Sequence, residues 1–572
     1  MAKKPTGPET DFPQLASNLK RAMAAASMSA TDLARASGVS VASLSRILSG
    51  QVNPSLGHMV KISAALGVSL DSLTNAETLH EVRLDGATAA SNKAAQVDRH
   101  AAELRDQTDI LVSFVLENTP YSPQEAARLL ANAATGSWVE SWTEQLTDSS
   151  RMLTPRPIMA MQTSRTSITV DVAFPQELIE AGSVISLISV IAASCTSTGA
   201  RIDDIRIPPI LLRTFQGPTY GIGGLRDRND KYGRPLLSAT MRPIVGLSPR
   251  MYGLAAFETL KGGIDFTCDP TLLHDMPSNR WRDRFNYLAD AVADAHYETN
   301  EIKTHAANVT AGTVEAMLER AELASQLNLG AVMIDSGAAG WAAVQSLAAF
   351  CHKNGLLLCA MGGRALNNGP LSQQLVAKLL RLAGCDVVSV GSPLRGNAVA
   401  RRNVKGITRA LTQEDMPAFP EGQIMFDQPT CGIANAMPAC GGGHNAWHFP
   451  QLLDAFGPDV MIQCGGSTMG HPWGSLAGAT ANRVAIEALM QARISGQNLA
   501  TDGRQVLEQA ARNSPELVEA LRFWREGSFL FGVVSNDDKD KLEGVVIKSL
   551  ESARQKRHLK SVQNPEDPSQ DE

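Results

Sequence analysis

The chain contains 572 residues, of which 44% are hydrophobic, and its formal net charge is −6. This length predicts several domains, each with its own core, and the acidic balance excludes a protein that binds polyanions over its whole surface. The sequence contains no run of eighteen apolar residues, so we expect no membrane-spanning helix. The N-terminal stretch MAKKPTGPETDF lacks the apolar segment of a signal peptide. The eight cysteines form no CxxC pair, which indicates reduced thiols and a cytoplasmic protein.

Sequence patterns divide the chain into four segments and a C-terminal tail. Residues 13–76 have the pattern of short helices, and residues 77–105 are Ala-rich and polar, as in a helical linker. Residues 106–220 mix strands with helices, whereas residues 221–535 alternate them regularly. The charged, Pro-containing residues 550–572 predict a disordered tail. The fold class expected from this order is a multidomain protein with an all-α headpiece, an α+β domain and an α/β barrel.

The headpiece contains the signals for two short helices around a glycine turn. Ser29 and Asp32 have the spacing of a capping box and predict a helix over about 30–37 that ends at Gly38. Ser40 predicts the start of a second helix over about 41–48. The apolar residues suited to a shared core are Leu33, Ala34, Val39, Leu44 and Ile47. Two helices arranged in this way predict a helix-turn-helix.

The string ATDLARASGVSVASLSRILSGQVNPSLGHMVKISAALGVSLDSL closely resembles the Cro/repressor (XRE) family of DNA-binding domains. In that family the second helix of the motif enters the major groove of double-stranded DNA. The resemblance implies that DNA is contacted by Ser40, Val41, Ala42, Ser43, Ser45 and Arg46. The family usually has glutamine at the positions of Ala30 and Val41, so this surface is poor in groups for direct base readout, although alanine and valine can contact thymine methyl groups. The alternative is a helical protein–protein module that does not bind DNA.

Eight apolar runs alternate with helical patterns in the last large segment. The predicted strands are Leu236–Arg242, Gly263–Cys268, Ile302–Asn308, Ala331–Asp335, Leu356–Met361, Asp386–Val390, Ala436–Gly442 and Met461–Gly466. Eight strands of this kind predict a (β/α)₈ TIM barrel, in which the functional residues follow the C-terminal ends of the strands. The last run ends in Gly465 and Gly466, and a strand, a glycine pair and a helix in this order can bind phosphate on backbone N–H groups.

Several strings in order resemble the ribulose-bisphosphate carboxylase (RuBisCO) large-subunit family. GGSTMGHPWG followed by AGATANRVAIEA resembles the last barrel strand of the family and its helix, and KYGRPLLSATMRPIVGLSP, GGIDFTCDP, RWRDRF and NVTAGT resemble earlier parts of the barrel. TDILVSFVLENTPYSPQEAARLLANAATGSW and RIPPILLRTFQGPTYGI resemble its N-terminal domain. The resemblance implies a RuBisCO-like protein, similar to form IV, with an α+β domain over residues 106–220 and the barrel over residues 221–535.

The residues that bind metal in active members of this family have no counterparts in the chain. Those members carbamylate a lysine after the second barrel strand and bind Mg²⁺ with it and with an Asp and a Glu that follow. The resemblance puts Cys268, Pro270 and Thr271 at these three positions. A thiol cannot form a carbamate, and proline and threonine provide no carboxylate. The resemblance therefore implies that the Mg²⁺ site is lost, and we expect no metal site, no cofactor and no carboxylase activity.

The acid–base residues of the family are replaced as well. The two lysines of the first strand correspond to Arg242 and Ile244, and an arginine cannot act as a general base at neutral pH. Other replaced positions are Cys359, Met361, Gly362, Ser389, Gly396 and Gly441, with Arg364 and Arg395 as possible shifted cations. The remaining candidate catalytic residues are Arg242, Cys268, Asp269 and His444, which form no general-base constellation in the sequence. We expect His448 and His471 to be structural.

The phosphate-binding half of the family's site is retained. The resemblance implies that a phosphate is bound by Gly442, Gly443, Gly465, Gly466, Ser137 and Trp138, the last two contributed by the partner subunit. Backbone amides keep their polarity whatever the neighbouring side chains become. The alternative is that these glycines are present because tight turns require them.

Three functions are compatible with these residues. The first is a sequence-specific transcriptional regulator whose RuBisCO-like domain binds a phosphorylated metabolite as effector, with double-stranded DNA and a second copy of the chain as partners. The second is a RuBisCO-like enzyme that enolises, isomerises or decarboxylates a phosphorylated keto-sugar and carries a fused regulatory DNA-binding domain. The third is a scaffold with two silent domains. The RuBisCO resemblance implies a homodimer or higher homo-oligomer, and we expect no membrane partner.

Overall fold

The computed structural model describes residues 19–20, 22–23, 28–49, 54, 56–66, 81–83, 108–135, 153–362, 365–367, 369–394 and 398–526. The predicted tail at 550–572, most of the predicted linker, and the candidate residues Ser137 and Trp138 lie outside them. Arg364, Arg395 and Gly396 also lie outside the described residues.

The headpiece contains helices α1 (Ala30–Ser37), α2 (Val41–Leu48) and α3 (Leu56–Leu66). The Ser29 hydroxyl accepts a hydrogen bond from the Asp32 N–H at 3.2 Å, and the Asp32 carboxylate accepts one from the Ser29 N–H at 3.4 Å. Gly38 ends α1 with φ 66°, a left-handed conformation that glycine adopts without strain. The Ser40 hydroxyl caps α2 by accepting from the Ser43 N–H at 3.1 Å. Both predicted helices and both predicted caps are therefore confirmed.

The core of the headpiece forms where the apolar spacing predicts it. The five predicted core residues are all buried, and Met59 and Ile62 of α3 complete the cluster. Because α1 and α2 each bury one face against this cluster, their opposite faces remain exposed. The predicted helix-turn-helix is confirmed.

The segment after the headpiece forms the five-stranded sheet of an α+β domain. Its strands are β1 (Glu81–Arg83), β2 (Ile110–Glu117), β3 (Arg156–Gln162), β4 (Ser167–Phe174) and β5 (Arg201–Arg206), in the order β1-β3-β4-β2-β5. Strand β1 pairs antiparallel with β3, with Glu81 opposite Met161. The prediction of a helical linker over residues 77–105 is wrong at this position, because backbone pairing with a strand 75 or more residues away in sequence leaves no local signal.

The last large segment closes into a barrel of eight parallel strands. They are β6 (Leu236–Thr240), β7 (Phe266–Cys268), β8 (Thr304–Asn308), β9 (Gly330–Ile334), β10 (Leu357–Ala360), β11 (Val387–Gly391), β14 (Met437–Cys440) and β15 (Met461–Gln463). Strand β15 pairs with β6, with Met461 beside Leu236, and so closes the barrel. A short antiparallel pair, β12 (Asp415–Met416) and β13 (Gln428–Pro429), lies between β11 and β14 in the chain. All eight predicted barrel strands and the predicted (β/α)₈ class are confirmed.

The remaining helices follow the strands that they connect. In the α+β domain they are α4 (Pro123–Thr135), α5 (Val184–Ile191), α6 (Cys195–Thr198) and α7 (Pro209–Leu212). In the barrel they are α8 (Gly221–Asn229), α9 (Pro249–Lys261), α10 (Trp281–Thr299), α11 (Val314–Gln326), α12 (Ser336–Ala339), α13 (Trp341–Asn354), α14 (Gln373–Ala383), α15 (Ala398–Thr412), α16 (Phe449–Phe456), α17 (Gly465–Met469), α18 (Ser475–Ile494), α19 (Leu499–Ala511) and α20 (Pro515–Glu526). Among the described residues, no helix combines the length and apolar character needed to cross a membrane.

Side chains from all eight strands fill the barrel interior. The buried cluster includes Leu236, Phe266, Cys268, Ala306, Ala331, Met333, Leu357, Cys359, Met361, Val387, Met437, Ala439 and Met461. Two cysteines and four methionines in this set make the interior rich in sulfur. These side chains behave as apolar and polarisable groups, so the barrel is a packed core beneath the open mouth at its C-terminal end.

Replacing Ser29 by alanine should weaken α1, because the first turn loses its side-chain acceptor. We expect the headpiece to lose about 1 kcal/mol of stability. Hydrogen exchange of amides 30–48 in the full chain, followed by mass spectrometry, measures the change. Ser45→Ala is a matched control on an exposed helical position and should leave exchange unchanged or slower. Equal exchange in Ser29→Ala and the unmodified chain would contradict the role of this cap.

Candidate functional site

A cavity of about 490 Å³ opens at the C-terminal end of the barrel strands. Parallel strands present their carboxyl ends on one face, so residues far apart in sequence meet there. The lining residues include Thr240, Arg242, Ile244, Cys268, Asp269, Pro270, Thr271, Leu272, Met333, Met361, Gly362, Leu366, Gln373, Ser389, Val390, Gly391, Ser392, Asn403, Val404, Gly441, Gly442 and Gln463. Its size is that of a small-molecule pocket.

Three of the four candidate catalytic residues line this cavity. Arg242, Cys268 and Asp269 follow or end the neighbouring strands β6 and β7. His444 is buried, does not line the cavity, and has its Nε2 2.8 Å from the Ser392 hydroxyl. The structure therefore brings the first three together, while His444 packs behind the wall and contacts the loop after β11.

Cys268 is a buried thiol at neutral pH. Burial raises the pKa of its thiol to about 11, and the Thr240 hydroxyl lies 3.2 Å from its sulfur. The nucleophilic form of cysteine is the thiolate, which is scarce four pH units below such a pKa. Cys268 therefore contributes a small, weakly polar surface to the cavity.

The Asp269 carboxylate is ionised inside the protein, where neighbouring groups compensate its charge and donate hydrogen bonds to it. Its carboxylate accepts from the Tyr252 hydroxyl at 2.7 Å and from the Asn308 N–H at 3.0 Å, and it lies 3.4 Å from both Arg284 Nε and His305 Nε2. Burial alone would raise the pKa of Asp269, but Arg284, His305 and the Asn308 N–H outweigh it and hold the pKa well below the usual range. A carboxylate so stabilised is a poor proton acceptor.

Two partners of Asp269 hold the loop that forms one wall of the cavity. The Asn308 side-chain amide donates to the carbonyl oxygens of Pro270, Thr271 and Leu273 at 3.1–3.2 Å. The Arg284 guanidinium donates to the carbonyl oxygens of Asn279 and His274 at 3.1 and 3.0 Å.

This arrangement fixes the cavity wall from beneath. Asp269 orients both clamping residues, so its role in the structure is to position Pro270, Thr271 and Leu272 at the mouth. Arg284 and Asn308 occur in the strings RWRDRF and NVTAGT, yet the sequence analysis did not single them out. Because both residues are distant from Asp269 in sequence, no local pattern indicated that both contact its carboxylate.

The residues around the end of β7 do not fit Mg²⁺. Cys268 presents a protonated thiol, Pro270 and Thr271 carry no carboxylate, and the Asp269 oxygens already have donors. Thr271 also closes the space beside it, because a Cβ built on Gly362 would lie 2.6 Å from the Thr271 methyl carbon. Within the described residues, no group of three or more His, Cys, Asp or Glu side chains is arranged to hold a metal ion. A hard divalent cation requires several oxygen ligands, and among its described residues this wall offers no carboxylate whose oxygens are without donors.

Arg242 supplies positive charge to the cavity from its exposed position after β6. Its backbone N–H donates to the Met469 sulfur at 3.1 Å, which ties the end of β6 to α17. Among the described residues, no carboxylate pairs with its guanidinium. Because Asp269 is internally neutralised, Arg242 is the one uncompensated charge among the described residues that line the cavity.

The glycines after β14 and β15 differ in backbone conformation, in packing and in exposure. Gly442 and Gly443 have φ angles of 146° and 76°, which favour glycine, and of the two only Gly442 lines the cavity. A Cβ on Gly465 would lie 2.8 Å from the Thr240 carbonyl oxygen, so close packing against β6 requires glycine there. Gly466 is exposed, with open space where a side chain would be. Of the predicted phosphate-binding glycines, Gly442 alone is therefore in the cavity wall.

Gln463 is a polar residue of the mouth that the sequence analysis did not identify. It ends β15, lines the cavity, and lies against Gly441, where a Cβ would come within 2.3 Å of its side-chain oxygen. Because Gly441 has no side chain, the Gln463 amide can occupy the space beside it. Its position as a polar residue within the last predicted strand, Met461–Gly466, was the available signal.

The two histidines expected to be structural have backbone partners. His448 Nδ1 accepts from the Asn445 N–H at 3.0 Å. His471 Nδ1 accepts from the Trp473 N–H at 3.1 Å, and its Nε2 lies 3.0 Å from the Glu516 carbonyl oxygen. Burial lowers the pKa of His471, so its ring is neutral near pH 7. These contacts agree with the expectation.

The candidate DNA-contacting residues share one face of the headpiece. Ser40, Val41, Ala42, Ser45 and Arg46 are exposed, with 51% of Val41 accessible, and Ser43 is half-buried. The Arg46 Nε donates to the Ala42 carbonyl oxygen at 3.3 Å, which lays this side chain along α2. An exposed helix face with an apolar first turn and one cation is compatible with insertion into a DNA groove.

Comparison with known families agrees with this organisation. Residues 221–524, more than half of the chain, match the family described as ribulose bisphosphate carboxylase large chain, catalytic domain. Residues 101–211 match the N-terminal domain of the same large chain, and residues 19–73 match a helix-turn-helix family. The resemblances found in the sequence, in the same order along the chain, are thereby confirmed.

Replacing Asp269 by asparagine should strongly destabilise the barrel, because the fully buried Arg284 loses its counter-charge. We expect a loss of about 3–5 kcal/mol in the free energy of unfolding, measured by urea denaturation of the full chain. Asp283→Asn, an exposed change on the same helix as Arg284, is the control and should stay within about 0.5 kcal/mol. If the two variants were equally stable, Asp269 would not be the residue that holds this wall.

Proposed function

Because this chain belongs to the RuBisCO large-chain family and carries an N-terminal helix-turn-helix domain, we propose that it is a DNA-binding transcriptional regulator whose barrel binds a phosphorylated metabolite as effector. The observation that carries the proposal is the composition of the mouth: it has one uncompensated cation, Arg242, and no group poised to transfer a proton near neutral pH among its described lining residues. Such a cavity is suited to binding an anion without transforming it.

The residues at the family's catalytic positions support binding without catalysis. An arginine stays protonated, Cys268 stays a thiol because its pKa is about 11, and the pKa of Asp269 is held low by its partners after burial is overcome. Efficient general acid–base catalysis needs a group that titrates near the working pH. In this proposal the carboxylase chemistry and its Mg²⁺ are absent.

Phosphate binding is supported by the side of the mouth formed by β14, β15 and β6. Arg242 provides the charge, and Gly442 brings backbone into the cavity wall without a side chain. Gly443, Gly465 and Gly466 do not line the cavity, and the proposal assigns them further backbone N–H groups as the residues that follow the same two strands. Ser137 and Trp138, from a partner subunit, lie outside the described residues and complete the set.

Operator binding is supported by the headpiece. Its second helix, α2, leaves five of the six candidate residues exposed while its other face is buried. In the proposal the chain is a cytoplasmic homodimer, so that two headpieces contact two half-sites of a pseudo-palindromic duplex. Effector binding shifts the relative placement of the headpieces and thereby changes operator affinity.

Catalysis by the barrel is the competing function. Its candidate groups are Arg242, Cys268, Asp269 and His444, of which the last packs behind the cavity wall. Turnover of a ketose phosphate by the purified chain, abolished by Cys268→Ala, would contradict a purely regulatory role. The regulatory proposal expects no turnover.

Replacing Arg46 by alanine should weaken DNA binding about tenfold and reduce its salt dependence, because a cation on the DNA-facing helix is lost. The measurement uses duplexes selected from a random-sequence library by the full chain, with affinity determined at several salt concentrations. Arg512→Ala, an exposed residue after α19, removes the same charge from the barrel and should leave affinity unchanged. Failure to select any duplex would reject the DNA-binding part of the proposal.

Replacing Arg242 by glutamine should abolish effector binding while leaving the fold intact, because this exposed side chain makes no ion pair within the described structure. A thermal-shift screen of phosphorylated metabolites on the unmodified chain identifies a compound first. At 100 times its dissociation constant, such a ligand adds about 2.7 kcal/mol of stability. Arg250→Gln, an exposed change on α9, is the charge-matched control. An unchanged shift in Arg242→Gln would show that the anion binds elsewhere.

A further inference from the structure

The two halves of the barrel mouth differ in character, and the strand order shows that they face each other. The closed order is β10-β11-β14-β15-β6-β7-β8-β9, so strands four places apart lie across the barrel. Strand β6 is therefore opposite β10, and β15 is opposite β9. Arg242, after β6, faces Met361, after β10, and Gln463 of β15 faces Met333 of β9.

The half formed by β14, β15 and β6 is polar. It holds the Arg242 guanidinium, the Gln463 amide and the backbone of Gly441 and Gly442. The charge of Arg242 has no carboxylate partner among the described residues. An anionic group is therefore favoured on this side of the cavity.

The opposite half is apolar and has no charged side chain among its described lining residues. Met333, Met361, Leu366 and Val390 line it, and each is at least nine-tenths buried in the wall. The polar side chains that line the cavity near them, Gln373, Ser389, Ser392 and Asn403, are neutral. A second phosphate placed here would lose hydration without gaining a counter-charge, whereas a hydrocarbon group would bury apolar surface against thioether and aliphatic side chains.

We infer that the effector is amphipathic: it carries one phosphate, bound on the Arg242 side, and at its other end an uncharged and mainly hydrocarbon group that packs against Met333 and Met361. This inference rests on the proposed effector-binding function and specifies the class of ligand. A cavity of about 490 Å³ accommodates such a molecule across its width. Because no described lining residue of the apolar half carries a counter-charge for a second phosphate, bisphosphorylated sugars are not the preferred ligands under this inference.

The test is calorimetric titration of the full chain with methyl, butyl and hexyl phosphate and with hexane-1,6-diyl bisphosphate, at one ionic strength. Each buried methylene adds roughly a factor of four in affinity. We therefore expect hexyl phosphate, with two more methylenes, to bind about sixteenfold more tightly than butyl phosphate, and the bisphosphate to bind more weakly than hexyl phosphate. These comparisons use the unmodified chain and do not depend on any variant folding.

Variants of Met361 test whether the hydrocarbon end of the ligand packs against this residue. Met361→Lys should invert the preference, so that the bisphosphate binds more tightly than hexyl phosphate, because the cavity gains a cation opposite Arg242. Met361→Leu conserves volume and apolarity and should keep the dependence on chain length. Circular dichroism and the thermal midpoint establish that both variants fold before they are titrated.

The outcomes separate this inference from the function on which it rests. If none of the four phosphates binds, both the effector function and the inference fail. If the phosphates bind but affinity does not rise with chain length, the inference fails and the effector function stands. A bisphosphate that binds more tightly than hexyl phosphate would also overturn it, and would point to cations outside the described residues, such as Arg364 or Arg395, as partners for the second phosphate.

Discussion

The neutralisation of the buried Asp269 carboxylate is the interaction on which the barrel mouth depends. This carboxylate directly follows the second barrel strand, and its charge is compensated by Arg284 while Tyr252 and the Asn308 N–H donate to it. The same Arg284 and Asn308 hold the following loop through its carbonyl oxygens, and that loop is one wall of the cavity. A single internal charge pair thus supports the shape of the site. Because Arg284 compensates the negative charge of Asp269, that charge does not act on a ligand in the cavity.

The electrostatic character of the mouth follows from that neutralisation. With Asp269 compensated and Cys268 protonated, the described lining retains one effective charge, the Arg242 guanidinium. Eight parallel strands close the barrel, and the second of them is followed by a proline and a threonine after its terminal thiol, with the Thr271 side chain occupying the space beside Gly362. The barrel mouth therefore combines a side that carries Arg242 and Gly442 with an apolar opposite wall. In our account, binding energy in this mouth changes the state of the headpiece rather than the covalent structure of the ligand.

Local and periodic signals made most of the fold predictable from the sequence. The Ser29–Asp32 capping box set the start of α1, and eight apolar runs located all eight barrel strands. Interactions between distant residues were not predictable. Strand β1 depends on pairing with residues near 160, Asp269 was a candidate catalytic group until its partners Tyr252 and Asn308 were known, and Gln463 needs the space left by Gly441. Each of these depends on a partner distant in sequence that only the folded chain brings near, so no local pattern indicated it.

The central claim is that the barrel mouth and the headpiece act as one regulatory unit, which requires a coupling free energy between ligand and DNA. The most direct measurement is the affinity of the full chain for its selected duplex with and without a saturating phosphorylated ligand, repeated for Arg242→Gln. The account predicts a change of at least about fivefold in DNA affinity, lost in the variant, and a reciprocal change in ligand affinity when the duplex is present. A DNA affinity that is identical with and without bound ligand would contradict it.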